Sequence, residues 1–243
     1  MRTYLIEELD KNVQNLSFVM LGGRTASGKT HVLKKIQHFV DLEKIANHRG
    51  SSFGAVVTDQ PSQINFENDL SIQLLKHRES HSKPIFIEHE GRRIGQRVLP
   101  LAMHEGMTGK YPLIILETPM SERVEVCLQD YIRDLYPTYK HQYGELAHDK
   151  FSDKILKGLH RIKNRLGGDR HKVIENQLKD ALELFKTGDE SGFKLPMESL
   201  LRDYYDPMYD YQISKRKERI IFKGSELEVL DWAKNYNGES HVE

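Results

Sequence analysis

The sequence predicts an α/β fold: a parallel sheet flanked by helices, carrying a largely helical insertion. Three observations lead there. Ser17-Phe18-Val19-Met20-Leu21 is a short apolar run that ends in Gly22-Gly23 and gives way at once to helical spacing. Two more apolar runs, Pro84–Glu88 and Tyr111–Glu117, each end in a carboxylate and are separated by helical segments, as expected of parallel strands covered on both faces. From Ser121 to about Asp210 such runs cease and charged helical segments replace them.

Taken in order, Ser17–Leu21 is the first strand. It feeds a helix with Val32, Leu33, Ile36, Phe39 and Val40 on one face. A polar segment, Ala46–Gly54, follows, and Gln60–Glu67 opens a second helix with Ser62 as its cap. Strands at Pro84–Glu88 and Tyr111–Glu117 come next. Ser121 is placed as the N-cap of the first inserted helix, and Thr187–Pro196 as an exposed loop. Arg219–Phe222 is a late strand leading through Gly224 into a helix over Ser225–Tyr236. This gives one domain over 1–243, with a core at about 15–120 and 217–238 and the helical insertion at about 121–210.

The 243 residues suffice for one large α/β domain. Lys+Arg and Asp+Glu both number 36, so any nucleic-acid footprint must come from local patches. A single cysteine, Cys127, excludes an internal disulfide framework and a cysteine-based zinc site, and fits a reducing cytoplasm. The N-terminal MRTYLIEELDKN is acidic where a secretory signal would be apolar, and no stretch is long enough to cross a bilayer. The expectation is a cytoplasmic chain with no membrane partner.

Gly23-Arg24-Thr25-Ala26-Ser27-Gly28-Lys29-Thr30 matches GxxxxGK[ST] without a mismatch, between a strand and a helix. This makes the predicted fold P-loop NTPase-like. The glycines let successive amides turn inward on a phosphate, Lys29 would neutralise terminal oxygens, and Thr30 would place its hydroxyl on Mg²⁺. Glu88, at the end of an apolar strand, stands where a Walker-B carboxylate would hold a metal-bound water, with Glu90 two residues on. The loop alone leaves the ligand open.

Asn47-His48-Arg49-Gly50-Ser51-Ser52 is dense in groups that bond phosphate or base edges. Here a family resemblance becomes specific. GRTASGKT, ANHRGSSFG, QPSQINFEN, IEHEGRRIGQRVLP, RIKNRLGG and YYDPMYDYQ, in that order, resemble the P-loop half of bacterial tRNA 2-selenouridine synthase. That family carries a rhodanese-like domain with a catalytic cysteine ahead of the P-loop domain. No such segment precedes Met1 here, so the expectation is a rhodanese-domain partner acting in trans or removed from the same chain. Cys127 reads as part of an ordinary amphipathic face, not as that nucleophile.

The resemblance implies a tRNA-modifying transferase acting on wobble 2-thiouridine. In that family the 2-thiouridine is understood to be S-geranylated from geranyl diphosphate, and the S-geranyl group is then displaced by selenium from selenophosphate. Lys29 and the loop amides would hold the diphosphate, with Glu88, His48 and Arg49 as further catalytic candidates. Asn47, Ser51, Ser52, Arg92 and Arg97 (with Arg93) would line the substrate side. Arg161, Lys163 and Arg165 would meet RNA phosphates, with Tyr205 and Tyr209 (and Tyr204, Tyr211) as rings able to stack on bases. Two other functions share the same loop. One is a small-molecule or nucleoside kinase using ATP, with Glu88 or Asp59 as base. The other is a non-catalytic tRNA-docking module.

Overall fold

The central sheet is built from the runs that leave no polar face. β1 (Phe18–Gly23), β3 (Ile85–Glu88) and β6 (Leu113–Leu116) are buried along their whole length and so need cover on both sides. With the edge strands β2 (Phe39–Val40) and β7 (Ile220–Gly224) they form one parallel sheet in the order β2-β3-β1-β6-β7. The computed structural model describes residues 2–78 and 83–238.

Strand side chains alternate between the two faces. Phe18, Met20, Ile85, Ile87, Leu113 and Ile115 pack with α1 (Arg2–Asn15), α4 (Gln63–Arg78) and α5 (Leu101–Gly109). Val19, Leu21, Phe86, Ile114 and Leu116 pack with α2 (Lys29–Leu33) and α13 (Glu226–Asn235). α3 (Leu42–Ala46) and a small hairpin of β4 (Arg93–Ile94) and β5 (Arg97–Val98) sit beside the sheet.

A second core belongs to the helices α6 (Met120–Leu128), α7 (Tyr136–Tyr143), α8 (Ala147–Arg161), α9 (Lys163–Leu166), α10 (Gly168–Phe185), α11 (Lys194–Leu200) and α12 (Asp206–Ser214). Single π-helical turns join α6 to α7 (Gln129–Arg133) and α11 to α12 (Leu201–Tyr205). Phe53, from the polar segment after α3, enters this core beside Gly158, where a Cβ would lie 2.4 Å from its ring. Among the described residues no helix is long and apolar enough to cross a membrane.

Several sequence expectations need correction. The helix after the glycine loop stops at Leu33, and Phe39 and Val40 instead pair with Phe86 and Ile87 as the edge strand. Pairing to β3 satisfies their backbone, and tertiary context overrides a helical period. α6 begins at Met120 behind Pro119, so Ser121 is inside its first turn and not the cap. The predicted loop 187–196 is largely structured: Phe193 and Pro196 are buried, and they draw the chain into a 3₁₀ turn and α11. Ser62 does cap α4, its Oγ accepting from Asn65 N at 3.1 Å, and Ser225 forms a capping box with Glu228. α1 and the β4–β5 hairpin had no counterpart in the sequence reading.

Candidate phosphate-binding site

β1 is the middle strand of the sheet, with β3 on one side and β6 on the other. Its carboxyl end is therefore the topological switch point, where α/β sheets open a crevice for ligands. The loop there needs glycine for two separate reasons. Gly28 has φ +82°, in the left-handed region, and at Gly23 a Cβ would fall 2.5 Å from Ser27 Oγ and 2.9 Å from the Leu116 carbonyl oxygen. Ala26 also adopts positive φ, +60°. A curl of this kind is the backbone form of an anion nest, in which successive amides can face a ligand. Since α2 is only five residues long, these amides and Lys29 outweigh the helix end.

Lys29 Nζ donates to the Gly23 carbonyl at 3.0 Å. Thr30 Oγ1 donates to Glu88 Oε1 at 3.0 Å and lies 3.3 Å from Glu43 Oε2. The other oxygen of Glu88 accepts from the backbone amides of Leu42 (3.0 Å) and Glu43 (3.3 Å). Glu88 is thus fixed behind Thr30, 1% exposed. Burial pushes its carboxyl well above the usual range, and Glu43, Asp41 and Glu90 add to the shift. Burial and then Glu90 raise Glu43 to about 8. His89, driven to about 3 by burial with Arg216 and Lys29 nearby, is a neutral imidazole on the cleft wall.

This donor set, a hydroxyl with carboxylate oxygens, suits a hard cation shared with a ligand's phosphates. Among the described residues no group of three His, Cys, Asp or Glu is arranged to hold a metal.

The helical layer grips the loop from the other side. Arg123, 2% exposed, donates from Nε to the Thr25 carbonyl at 2.9 Å and from Nη1 to Asp206 Oδ2 at 2.9 Å. Arg24 pairs with Asp210, Nη2 to Oδ2 at 2.8 Å. Its guanidinium is therefore held by α12, and of the residues 23–30 it is the one whose side chain does not line the cleft. YYDPMYDYQ earns its place through Asp206 and Asp210, which fix the loop, while Tyr205 and Tyr209 wall the cleft.

The segment after α3 closes the opposite wall. Asn47, with φ +49°, donates to Thr58 Oγ1 at 2.8 Å and to the Asp59 carbonyl at 3.0 Å, so its amide pins the segment itself. Arg49 is ion-paired with Asp130 and lies 3.4 Å from Asp134. Asp130 also faces His31 Nε2 at 3.5 Å, joining this wall to the residue after Thr30. Ser51 Oγ and Tyr131 Oη share a hydrogen bond of 2.8 Å.

Of the predicted site residues, Gly23, Thr25 to Thr30, Arg49, Ser51, Ser52, Arg165, Tyr205 and Tyr209 line one cleft of about 450 Å³. Asn47, His48 and Arg161 line a neighbouring cleft, which shares Gly50, Ser51, Ser52 and Arg93 with the first. Arg92, Arg97 and Lys163 line neither; Arg93 alone of that arginine group reaches the clefts. Tyr205 is only 7% exposed, a wall and not a projecting ring. Glu43, His89, Arg123, Asp130 and Tyr131 escaped the sequence reading because each acts across long separations. Arg123 and Asp206, for example, lie 83 residues apart.

Directly beside the phosphate loop lies an apolar cavity of about 50 Å³ inside the helical core, between Phe53, Cys127, Ile155, Phe193, Met197 and Leu201. Thr25, Ser51, Tyr131 and Tyr205 line both this cavity and the phosphate cleft. Burial first, with Asp130 adding, pushes the Cys127 thiol up to about 12, which leaves it a small apolar wall.

The family model described as tRNA 2-selenouridine synthase AAA domain matches residues 16–240. The protein named tRNA 2-selenouridine synthase in Marinobacter nauticus is 41% identical over 237 residues, covering 97% of this chain and 64% of its own length. Its namesake in a Sulfurovum species is 39% identical over 236 residues, covering 97% and 65%, and that of Pseudomonas putida F1 is 42% identical over 236 residues, covering 96% and 64%. The chain therefore spans a little under two thirds of the length of these relatives. No solved structure is a significant match.

Proposed function

The chain belongs to the tRNA 2-selenouridine synthase AAA domain family, and on that premise we propose that it is a tRNA-modifying transferase component acting on wobble 2-thiouridine. The phosphate loop holds the diphosphate of geranyl diphosphate while the 2-thio sulfur attacks the first carbon of the geranyl chain. The new C–S bond forms as the C–O bond to diphosphate breaks, and the diphosphate leaves with both electrons. The selenium of selenophosphate then attacks C2 of the base, the C–S bond breaks and geranyl thiol leaves, and water cleaves the Se–P bond to release phosphate, with a rhodanese-domain partner contributing to that step.

One observation supports this reading above others: the apolar cavity adjoining the phosphate loop. A prenyl diphosphate has one highly charged end and one hydrocarbon end, and the two spaces match them in order. The cavity would receive the first isoprene unit, and the flexible side chain of Met197, which lines it, would have to move to admit the remainder. In the loop, Lys29 exchanges the Gly23 carbonyl for a phosphate oxygen and, with the loop amides, neutralises charge growing on the leaving group. The cleft walls, Arg49 and Ser51 on one side and Tyr205 and Tyr209 on the other, position the base. Mg²⁺, where bound, would be held by the Thr30 hydroxyl with Glu88 and Glu43 and would neutralise phosphate charge.

The Thr30–Glu88 hydrogen bond favours a second reading, a kinase holding magnesium-ATP in the same loop. That reading gives the apolar cavity no task.

Purified chain mixed with tRNA bearing wobble 2-thiouridine and geranyl diphosphate, followed by nucleoside mass spectrometry, separates the readings. The expected result is an S-geranylated nucleoside that is absent with Lys29→Ala. Phosphoryl transfer from ATP without geranylation would favour the kinase. Bound but unmodified tRNA would point to a docking module.

A further inference from the structure

Two buried basic groups lie outside the machinery just described. Lys154 Nζ and His48 Nδ1 are both enclosed, and among the described residues neither has a hydrogen-bond partner. Each such group ordinarily costs stability, and a buried cation without a counter-charge costs most. They converge because α8 presents Lys154, Gly158 and Arg161 at i, i+4 and i+7, on one side, to the segment after α3. Phe53 packs on Gly158, Arg161 Nη1 donates to the Ser52 carbonyl at 3.2 Å, and the Lys154 ammonium stands 5.6 Å from the centre of the Tyr131 ring.

His48 is held in place by steric fit, since a Cβ at Gly95 would fall 2.7 Å from its ring and one at Gly54 3.0 Å. His48 and Arg161 border a cleft of about 780 Å³, with Arg93 and the hydroxyls of Ser51 and Ser52. Asp59, exposed, is the one carboxylate among the residues that line it. Arg49 nearby has counter-charges in Asp130 and Asp134, whereas Lys154 and Arg161 make no ion pair among the described residues.

We propose that this cleft is a second oxyanion site, separate from the glycine loop, in which His48 and Arg161 receive a phosphate group, while Lys154, enclosed behind the cleft wall and not lining it, adds its charge. A tetrahedral oxyanion supplies the acceptors that these donors lack and offsets their mutual repulsion. The field of Arg161 and Lys154 already adds to burial in lowering the His48 imidazolium, and burial with Arg49 and Arg161 brings Lys154 down to about 7. A bound anion reverses both effects. The cleft shares Gly50, Ser51, Ser52 and Arg93 with the phosphate-loop cleft, so one ligand can span both or two can bind side by side. The phosphate belongs either to an RNA backbone or to a free phosphorylated small molecule. The proposal holds whether the glycine loop takes a prenyl diphosphate or a nucleotide.

The test uses the full chain with Lys29→Ala, which disables the glycine loop, alone and combined with Lys154→Met or Arg161→Gln. Inorganic phosphate binding is followed by ³¹P NMR, and binding of a short RNA stem-loop by anisotropy. The Lys29→Ala chain is expected to bind phosphate, and each added substitution to weaken it about tenfold. A parallel loss for the RNA identifies a backbone phosphodiester as the occupant. Undiminished RNA binding identifies a small phosphorylated ligand. Phosphate that does not bind the Lys29→Ala chain, or binds equally well to all three, overturns the proposal. Because Arg161 is exposed, its substitution keeps the test decisive if Lys154→Met does not fold.

Discussion

The sheet side and the helical side of the phosphate loop hold it in different ways. On the sheet side the hold is backbone geometry: β1 delivers the loop between β3 and β6, glycines at 23 and 28 allow its curl, and Glu88 is clamped by two amides. On the helical side the hold is side-chain charge, with Arg123 bridging Thr25 and Asp206, and Arg24 pairing with Asp210. The sheet side shapes a glycine nest of the kind that would take a diphosphate. The helical side adds the apolar cavity and the tyrosine wall that would make the nest selective.

The sharpest way to break this division is to remove Arg123. Arg123→Met leaves Asp206, in a buried setting, with Arg24 at 3.8 Å as its remaining counter-charge, and the expected cost is at most about 3–5 kcal/mol of unfolding free energy, read by denaturant titration. Adding Asp206→Leu should recover much of that loss without restoring the hold on the Thr25 carbonyl, so pyrophosphate binding should remain weak. Equal losses in both proteins would mean that the ion pair is not the relevant contact.

Gly23→Ala tests the sheet side. Its Cβ meets the Leu116 carbonyl oxygen as well as Ser27, and backbone cannot swing aside. A destabilisation of about 1–3 kcal/mol is expected, together with loss of pyrophosphate affinity by calorimetry. Unchanged affinity would show that the loop tolerates another curl.

The smallest effect concerns the carboxylates behind Thr30. Glu43 has a folded pKa raised to about 8, so its contribution is complete below its unfolded value and is lost as pH rises through about 8. Glu88 and Glu90 are raised in the same direction. The ligand-free chain should therefore lose stability from pH about 4.5 towards 8, and Glu43→Gln should flatten part of that slope. A steeper slope in the variant would contradict the assignment.

The two sides also differ in how well the sequence reveals them. β1, the loop, β3 and β6 are legible because their signals are local: apolar runs, a spaced glycine pair and a lysine–threonine end. The edge strand Phe39–Val40 is not, because two residues carry no period of their own and only their pairing with β3 settles them. Glu43 and Arg123 act through partners distant in sequence. The two π turns, which set Asp130, Tyr131, Tyr204 and Tyr205 against the cleft, break the helical period that would have placed those side chains. His48, read together with Arg49, lies in the neighbouring cleft because an isolated bridge to Ala55 turns the chain there.

The central claim is that one ligand uses the phosphate loop and the apolar cavity together. Its most direct test is the affinity of geranyl diphosphate relative to inorganic pyrophosphate, measured by calorimetry for the unaltered chain and for Cys127→Phe, which fills the cavity. Burying one isoprene unit at roughly 0.8 kcal/mol per carbon, reduced by the cost of ordering it, predicts geranyl diphosphate about 100-fold tighter. In Cys127→Phe that advantage should collapse while pyrophosphate binds as before. Equal affinities for the two ligands, or an advantage that survives the filled cavity, would contradict the claim.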